Sequence, residues 1–386
     1  MLLSIDGRPA GISLSRGEGG AHVPTIAANT ERWTRHQWIR GGHEWSPGGS
    51  QAGTDLLWWR TLLPRLRTFV PARTILEIGP GYGRWTEYLT SLCEHLIAID
   101  VTPACIESCR ARFAGDPRLE FHVNDGTSLD VVRAHSVDLV FSFDSLVHAE
   151  GDVLDRYIEQ LPRVLSPGGV AFLHHSNLGA FVDPGTNDVR RYVTRRHWRA
   201  ATMSARRLRD ACRRAGLHCE AQEMINWIGR GRTADRPKLD GRLLPLTDCL
   251  SIVKRRDRRH SDEATRVAVN PAFVEEWRDA VWLAAMYPPQ HAESTSDVDA
   301  APASVSRRLS TASSLLRRGP LAFARVARER ARAAGHAARA WSVGQVLKRR
   351  EPFATSLRAG KCPDCGTAVE KPGTCRQCAV RWVLVD

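Results

Sequence analysis

The chain has 386 residues, of which 42% are hydrophobic and 25% are charged, enough for one large core with attached segments. It contains no run of about 18 apolar residues, and its first twenty residues lack the apolar centre of a signal peptide. These features argue against a membrane-spanning or secreted protein, and we expect a soluble protein of the cytoplasm. The formal net charge is +13, and residues 305–350 supply most of it, with twelve Arg or Lys against one Glu.

The first segment, residues 1–54, is rich in tryptophan and broken by glycine, and we interpret it as a helical cap. Residues 55–287 follow as one domain, in which short apolar runs alternate with helix-like sequence. Such alternation is typical of parallel strands covered by helices on both faces. We therefore predict an α/β fold with a doubly wound, mostly parallel sheet of about seven strands, at residues 74–79, 95–100, 119–123, 137–143, 169–175, 218–225 and 249–255.

Two segments of unusual composition follow this domain. Residues 288–314 are poor in aromatic and branched apolar residues, which is typical of a flexible linker. Residues 315–358 are rich in alanine and arginine, and we predict a basic helical arm. Three interpretations of its 315–350 stretch stay open: contact with the anionic inner face of the membrane, binding of nucleic acid, or an arm that is only solvated.

Residues 359–386 contain two CxxC pairs separated by nine residues. Four thiolates brought together by two such turns form the tetrahedral site that Zn²⁺ prefers, and so small a unit cannot otherwise bury a core. We predict a zinc-ribbon-like element with structural Zn²⁺ bound by Cys362, Cys365, Cys375 and Cys378. The other six cysteines are scattered through predicted helices and strands, where we expect reduced thiols.

A glycine-rich turn, ILEIGPGYGRWT at residues 75–86, joins the first predicted strand to a helix. Ligands of open parallel sheets bind at such turns. A dinucleotide-binding turn has a third glycine where this chain has Arg84, and Glu77 would repel a pyrophosphate but attract an ammonium group. The turn therefore favours a ligand with a nucleoside at one end and a cationic amino acid at the other. We assign its binding to Glu77, Gly79, Gly81 and Gly83.

Acidic and aromatic side chains stand at the ends of the next three strands. Asp100 lies 21 residues after the first glycine of the turn, close to the offset at which an acid binds a ribose. Asp125 and Gly126 follow the third strand, where an acid can accept a hydrogen bond from an adenine amino group. Phe143 and Asp144 end the fourth strand at the mouth of the same crevice. Four consecutive strand ends thus offer a nucleoside site, to which we also assign Phe143.

The sequence here resembles a known family, the class I S-adenosylmethionine-dependent methyltransferases. The resemblance rests on ILEIGPGYGRW, the strand-end Asp100, VNDGTSL, VDLVFSFDSLVH and LPRVLSPGG, in the order and spacing of that family. It covers residues 73–180 strongly and extends weakly to residue 256. It implies S-adenosylmethionine as the cofactor, with its methionine part beside Glu77, Gly79 and Gly81, its ribose at Asp100, and its adenine at Asp125 and Gly126.

Transfer of a methyl group to a hydroxyl requires a general base, and histidine has this role most often. His148 follows the fourth strand, and His174 and His175 end the fifth. Neighbours in a strand point to opposite faces, so only one of the last two can face the crevice, and we slightly favour His175. Asp144 is a further candidate, either to orient the base or to join a Mg²⁺ site. We do not favour Mg²⁺, because no carboxylates cluster near Asp144 in the sequence.

The combination of GHEWSPGG, PGYGRWT, FDSLVH and HHSN resembles a bacterial subgroup associated with glycan and polysaccharide biosynthesis. This resemblance implies O-methylation of a sugar hydroxyl, with a glycan or a small molecule as acceptor. Two alternatives stay open. One is an RNA methyltransferase that grips its substrate with the basic arm and the zinc ribbon. The other is a scaffold whose methyltransferase fold is inactive.

Overall fold

A computed structural model describes residues 25–190, 193, 198–227, 246–255, 264–270, 273–274 and 276–277, together with the backbone of 374–375 and 380–384. Within these residues, no helix is long and apolar enough to cross a membrane. The predicted linker and basic arm lie outside the described residues. So do Cys362, Cys365 and Cys378, and only the backbone of Cys375 is described.

Among the described residues, ten strands form one sheet. They are β1 (Ala72–Ile78), β2 (Cys93–Asp100), β3 (Leu119–Val123), β4 (Val137–Ser142), β5 (Leu165–Ser176), β6 (Leu217–Ile225), β7 (Asp248–Arg255), β8 (Thr265–Asn270), β9 (Thr374–Cys375) and β10 (Val380–Leu384). Their order across the sheet is β3-β2-β1-β4-β5-β7-β6-β8-β10-β9. Neighbours are parallel, except that β7 runs antiparallel to both β5 and β6, and β9 runs antiparallel to β10.

The described sheet is wider than the sequence predicts. All seven predicted strands are present, but β8 pairs with the far side of β6, and β10 and β9 continue the sheet beyond it. The predicted count of about seven is therefore too low. The reason is that β10 pairs with β8 across about a hundred residues of chain, and local hydrophobic patterns carry no information on so distant a partner.

The order of the strands reverses between β1 and β4. From β1 the chain moves outward to β2 and β3, then returns to β4 and moves outward in the other direction through β5. In doubly wound sheets of this kind, ligands bind outside the carboxyl ends of the strands where the order reverses. The crevice of this protein is therefore expected between the ends of β1 and β4.

Helices cover both faces of the sheet. They are α1 (Ile26–Arg35), α2 (Gln51–Leu57), α3 (Leu63–Leu66), α4 (Thr86–Leu89), α5 (Pro103–Arg112), α6 (Gly151–Val164) and α7 (Ala205–Arg214). The apolar side chains of α6 and α7 join one core cluster with the sheet, and those of α2 to α5 join a second cluster on the opposite face. With both faces covered, the central strands read as nearly continuous apolar runs.

Helix α6 shows how the sequence sets this packing. Its buried residues recur at intervals of three and four, which places them in one stripe facing the sheet. Burying each large apolar side chain contributes roughly 2 kcal/mol relative to leaving it in water. Helix α1, in contrast, has no buried residue. It is attached to the domain through a few specific contacts, which matter for the site described next.

Candidate active site

The glycine turn, residues 79–83, leaves β1 in a conformation that suits only glycine. The φ angles of Gly79, Gly81 and Gly83 are +75°, +56° and +84°, in the left-handed region. A Cβ on Gly79 would lie 1.9 Å from Ser145 Oγ, and one on Gly83 would lie 2.6 Å from the ring of Phe113. The turn is thus fitted closely between the segment after β4 and the residue that follows α5.

Residues of the cap lie over two positions that the sequence assigns to cofactor binding. The ring of Trp38 stacks on Tyr82 with 4.7 Å between ring centroids, and a Cβ on Gly81 would lie 3.0 Å from Trp38. Gly126, at φ +85°, is covered in the same way by Ile26, the first residue of α1. The cap therefore closes over the crevice at both ends of the predicted nucleoside site.

Glu77, near the end of β1, is a buried acid with one unused oxygen. Its side chain is 1% exposed, and Thr86 Oγ1 donates a hydrogen bond of 2.6 Å to its Oε2. Its Oε1 is also buried and has no hydrogen-bond partner among the described residues. Burial, with a further contribution from the negative charge of Asp100, raises the pKa of Glu77 to about 7.

Asp100, the last residue of β2, faces the glycine turn. Its Oδ2 accepts a hydrogen bond of 3.2 Å from the backbone N–H of Gly81, and its Oδ1 accepts one of 2.8 Å from that of Thr102. Burial raises the pKa of Asp100 to about 6, although these hydrogen bonds act in the opposite direction. The structure therefore brings Asp100, Glu77 and the turn together, as the sequence predicts.

Asp125 has a local structural role in addition to any contact with a ligand. Its Oδ1 accepts hydrogen bonds of 2.7 Å from the backbone N–H groups of both Thr127 and Ser128. These bonds hold the pKa of Asp125 below its usual value. The exposed carboxylate thus stabilises the loop after β3, and its assignment to adenine binding stays a prediction.

Phe143 and Asp144 follow β4 directly. Phe143 is buried, with ring centroids of Trp85 and His174 at 5.5 and 4.6 Å. Asp144 has a left-handed φ of +62° and forms a salt bridge of 3.0 Å with the buried Arg84. Burial alone would raise the pKa of Asp144, but nearby basic groups, first of all Arg84 and then Arg199, act in the opposite direction and the pKa is lowered. Arg84, which replaces the third glycine of a dinucleotide turn, thus holds the end of β4.

A Mg²⁺ site at Asp144 finds no further ligands here. In the part of the chain that the structure describes, no three His, Cys, Asp or Glu side chains are placed to hold one metal ion. The Asp144 carboxylate is paired with a guanidinium instead.

His175 lies on the wrong face of β5 for the role that the sequence analysis favoured. Its ring is fully buried on the same face as the cluster packed by α6 and α7. Its Nδ1 lies 2.8 Å from the carbonyl oxygen of Ser176, and its Nε2 lies 2.8 Å from Ser251 Oγ. Burial lowers its pKa to about 4. With both nitrogens bound inside the core, the slight preference for His175 over His174 is not supported.

His174 points to the opposite face, beside Phe143, and the lone pair of its Nδ1 is already used. Its Nδ1 accepts a hydrogen bond of 3.1 Å from the backbone N–H of Asp144. Its proton must then be on Nε2, which lies 3.4 Å from Asp248 Oδ2. This distance is long for a hydrogen bond, although the pair is fully buried. Arg199 donates two further hydrogen bonds to Asp248. His174 thus has no lone pair left to accept a proton.

His148 is the histidine with a nitrogen left for chemistry. It ends a short 3-10 turn, Leu146–His148, that follows β4, and its ring lies 5.4 Å from that of Trp33 in α1. Its Nδ1 donates a hydrogen bond of 2.9 Å to the carbonyl oxygen of Trp198, so the lone pair is on Nε2. Burial, with a contribution from Arg199, lowers its pKa to about 4. The ring is therefore neutral at physiological pH.

Several residues of this site carry no signal in the sequence. Arg199 and Asp248 form a buried ion pair beside His174, and Asn29 of α1 contacts the segment at His148. No motif marks them, because they come from a loop, from the first residue of β7 and from the cap, and their positions depend on the tertiary fold. The isolated acid that begins β7, Asp248, is the one signal that a buried partner was needed.

The comparison with protein families agrees with this geometry. Residues 75–169 match the family model described as a methyltransferase domain. This segment, about a quarter of the chain, is therefore similar to methyltransferase domains. It extends from the middle of β1 to the start of β5, and therefore includes Glu77, the glycine turn, Asp100 and His148.

Three curated relatives are similar to parts of this chain. Phosphoethanolamine N-methyltransferase 1 of Zea mays is 29% identical over 117 residues, covering 29% of this chain and 23% of that protein. Demethylmenaquinone methyltransferase of Clavibacter sepedonicus is 33% identical over 124 residues, covering 30% and 46%. Ribosomal RNA small subunit methyltransferase A of Geobacter sulfurreducens is 34% identical over 82 residues, covering 20% and 30%. The chain spans less than half the length of each relative.

The residues of segment 75–169 fit S-adenosylmethionine, the cofactor expected for the family that this segment resembles. Glu77 offers a buried carboxyl oxygen that lacks a partner among the described residues, which suits a cationic ligand. Asp100 stands at the end of the next strand with its carboxylate toward the turn. The turn itself excludes side chains at Gly79 and Gly83. Both acids carry raised pKa values, and a positive charge close to them would favour their ionised forms.

Proposed function

We propose that this protein transfers a methyl group from S-adenosylmethionine to a hydroxyl oxygen, and that the acceptor is a saccharide. The observation that carries the proposal is the hydrogen bond from His148 Nδ1 to the carbonyl oxygen of Trp198, which leaves the lone pair on Nε2. Glu77, Asp100 and the glycine turn would hold the cofactor. When bound, S-adenosylmethionine supplies a methyl group on a positively charged sulfur.

His148 would accept the proton of the acceptor hydroxyl at Nε2. A hydroxyl oxygen that gains a methyl group becomes a strong acid, so a histidine with a pKa of about 4 is basic enough to take this proton. Asp144 does not act as the base in this scheme, because Arg84 holds its carboxylate and lowers its pKa. Its backbone N–H fixes the ring of His174 instead.

The aromatic composition of the cap supports a saccharide acceptor. Trp33 lies next to His148 and is in ring contact with Trp38 and Trp45, at 6.0 and 5.8 Å. Trp45 is 38% exposed, so one face of this cluster is open to a ligand. Aromatic rings present large apolar faces, against which the C–H groups of a sugar ring can pack. The relatives named above have unlike acceptors, and they do not decide between a sugar and another hydroxyl compound.

One experiment tests both cofactor binding and methyl transfer to a saccharide. The protein is incubated with S-adenosylmethionine labelled in the methyl group and with extract separated into glycan, nucleic-acid and small-molecule fractions. We expect label in the glycan fraction. His148→Gln should bind the cofactor as the wild type does but transfer at least about a hundredfold more slowly. Asp100→Ala should fail at the earlier step, with no binding detected by calorimetry.

The controls and contrary outcomes are specific. Asp116→Ala removes a partly exposed acid whose side-chain partner among the described residues is Arg118, near β3, and it should change neither binding nor transfer. Label in the nucleic-acid fraction would replace the saccharide by RNA as acceptor, the first alternative from the sequence. Undiminished cofactor binding by Asp100→Ala would refute the cofactor site. Binding without transfer to any fraction would favour the inactive scaffold.

A further inference from the structure

Three residues from separate parts of the chain form a closed ring of hydrogen bonds at the candidate base. Asn29 Nδ2 donates to the carbonyl oxygen of His148 at 2.8 Å. His148 Nδ1 lies 2.9 Å from the carbonyl oxygen of Trp198, which can only accept. Trp198 Nε1 donates to Asn29 Oδ1 at 2.8 Å. Each residue is thus both a donor and an acceptor within the ring.

The ring joins three elements that the sequence keeps far apart. Asn29 belongs to α1 of the cap, His148 to the turn after β4, and Trp198 to the segment before α7. The backbone N–H of Ala200 also donates to the carbonyl oxygen of Val147 at 3.2 Å, which holds the last two elements side by side. Since α1 buries no residue of its own, contacts such as this ring determine where it docks.

Trp198 is held in a demanding conformation at this point. Its φ is +59°, in the left-handed region, which is unfavourable for a residue other than glycine. The guanidinium of Arg32, one helical turn from Asn29, lies 4.7 Å from its ring centroid. Such strain persists only where the surroundings enforce it. In this backbone conformation, the carbonyl oxygen of Trp198 faces His148 Nδ1 and the indole N–H faces Asn29 Oδ1.

We propose that Asn29 and Trp198 are positioning residues that keep the proton of His148 on Nδ1 and leave Nε2 free to act as the base. The inference rests on the proposed function, because it assigns a purpose to the lone pair of His148. It adds that the cap takes part in catalysis: His148 is set for proton transfer only when α1 is docked.

The test uses Asn29→Ala in the full-length chain, with Thr30→Ala as the matched control. Alanine favours helix more than asparagine does, so α1 should still form. Thr30 Oγ1 bonds only within α1, to the carbonyl oxygen of Ile26, so its loss should leave the ring unchanged. The tautomer of His148 is read from ¹⁵N spectra of histidine-labelled protein, and its signals are assigned by their absence in His148→Gln.

In the wild type and in Thr30→Ala, we expect the proton on Nδ1 of His148. In Asn29→Ala, we expect a mixture of tautomers and a fall in kcat of at least about tenfold, because the base is in its competent form only part of the time. The Kd for S-adenosylmethionine should stay within about twofold in Thr30→Ala and His148→Gln, since neither side chain touches the predicted cofactor positions.

Two results would overturn the inference. One is a wild-type His148 that carries its proton on Nε2. The other is an Asn29→Ala variant in which either the tautomer or kcat remains as in the wild type. Failure of the proposed function has a different signature: the wild-type protein would then not bind S-adenosylmethionine or would label no fraction, whatever the tautomer of His148.

Discussion

At the scale of single residues, the two acids of the cofactor site carry the clearest physical signature. Glu77 and Asp100 sit at adjacent strand ends, and burial raises both of their pKa values, to about 7 and about 6. Burying an acid without a compensating charge costs free energy, and the protein gains nothing structural from the unused oxygen of Glu77. A positively charged ligand at this point would remove the cost.

This arrangement predicts that binding of S-adenosylmethionine depends on pH. Below about pH 7 the free protein holds a proton on Glu77, which must be released when the cation binds. We expect the affinity measured by calorimetry to rise by up to about tenfold from pH 6 to pH 7 and to level off above it. Glu77→Gln keeps an acceptor for Thr86 but cannot ionise. It should bind more weakly above pH 7 and lose most of the pH dependence. A variant that retains the wild-type pH profile would contradict the assignment.

The sequence predicts the positions of the cofactor-site residues but not the state of the candidate histidines. Glu77, Gly79 and Asp100 could be placed because they lie at the ends of recognisable strands, and the fold brings such ends together. The alternation within β5 shows that His174 and His175 face opposite ways but not which one faces the crevice. The state of each ring depends on partners such as Ser251 and Trp198, which no local pattern reveals.

At the scale of elements, the glycine turn and the sheet were predictable for a common reason. Alternation of short apolar runs with helix-like sequence predicts seven strands, and the structure contains all of them, as β1 to β7. The same reasoning missed β8, a short strand at the side of the domain, and β9 and β10, whose partners are distant in the chain. The cap was expected as a helical element, but its closure over Gly81 and Gly126 was not.

Gly79 and Gly168 have similar backbone conformations, so alanine substitutions at the two positions distinguish the cost of backbone strain from an effect on cofactor binding. Gly79 and Gly168 have φ of +75° and +82°, so replacing either by alanine should cost about 1–2 kcal/mol of backbone strain. No described atom lies within 4 Å of a Cβ at Gly168, whereas a Cβ at Gly79 would lie 1.9 Å from Ser145 Oγ. We expect Gly79→Ala to bind S-adenosylmethionine at least about tenfold more weakly, and to unfold at a lower denaturant concentration than Gly168→Ala.

The Gly168→Ala variant serves as the control for this comparison. It should lose some stability in urea denaturation but bind the cofactor as the wild type does. Equal cofactor affinity in the two variants would show that the segment after β4 can move away from the turn without consequence. The close fit of the turn would then have no part in binding.

At the scale of the whole molecule, the C-terminal segment is part of the sheet. Five residues of β10 pair with β8, from Val380 opposite Thr265 to Leu384 opposite Val269. A deletion from residue 305 onward, meant to remove the basic arm, would therefore also remove two strands. Any loss of activity in such a protein would mix the role of the arm with the stability of the domain.

Replacing arginines of the arm tests its role without this complication. Arg325, Arg328, Arg330 and Arg332 are changed together to glutamine, which removes four positive charges and keeps β10. If the acceptor is a saccharide, we expect transfer to be unchanged at low and high salt. An RNA acceptor would require these charges, and transfer would then fall and lose its salt dependence. Deletion of residues 374–386 should instead lower the thermal midpoint, because it uncovers the edge of β8.

The pairing of β10 with β8 also bears on how the protein is made. After β8 leaves the ribosome, about 110 further residues must be synthesised before β10 can dock, which takes on the order of 10 s. During that time β8 presents open backbone N–H and C=O groups, to which strands of other nascent chains can add. A newly made chain should therefore depend on chaperones until β10 has been synthesised and has docked on β8.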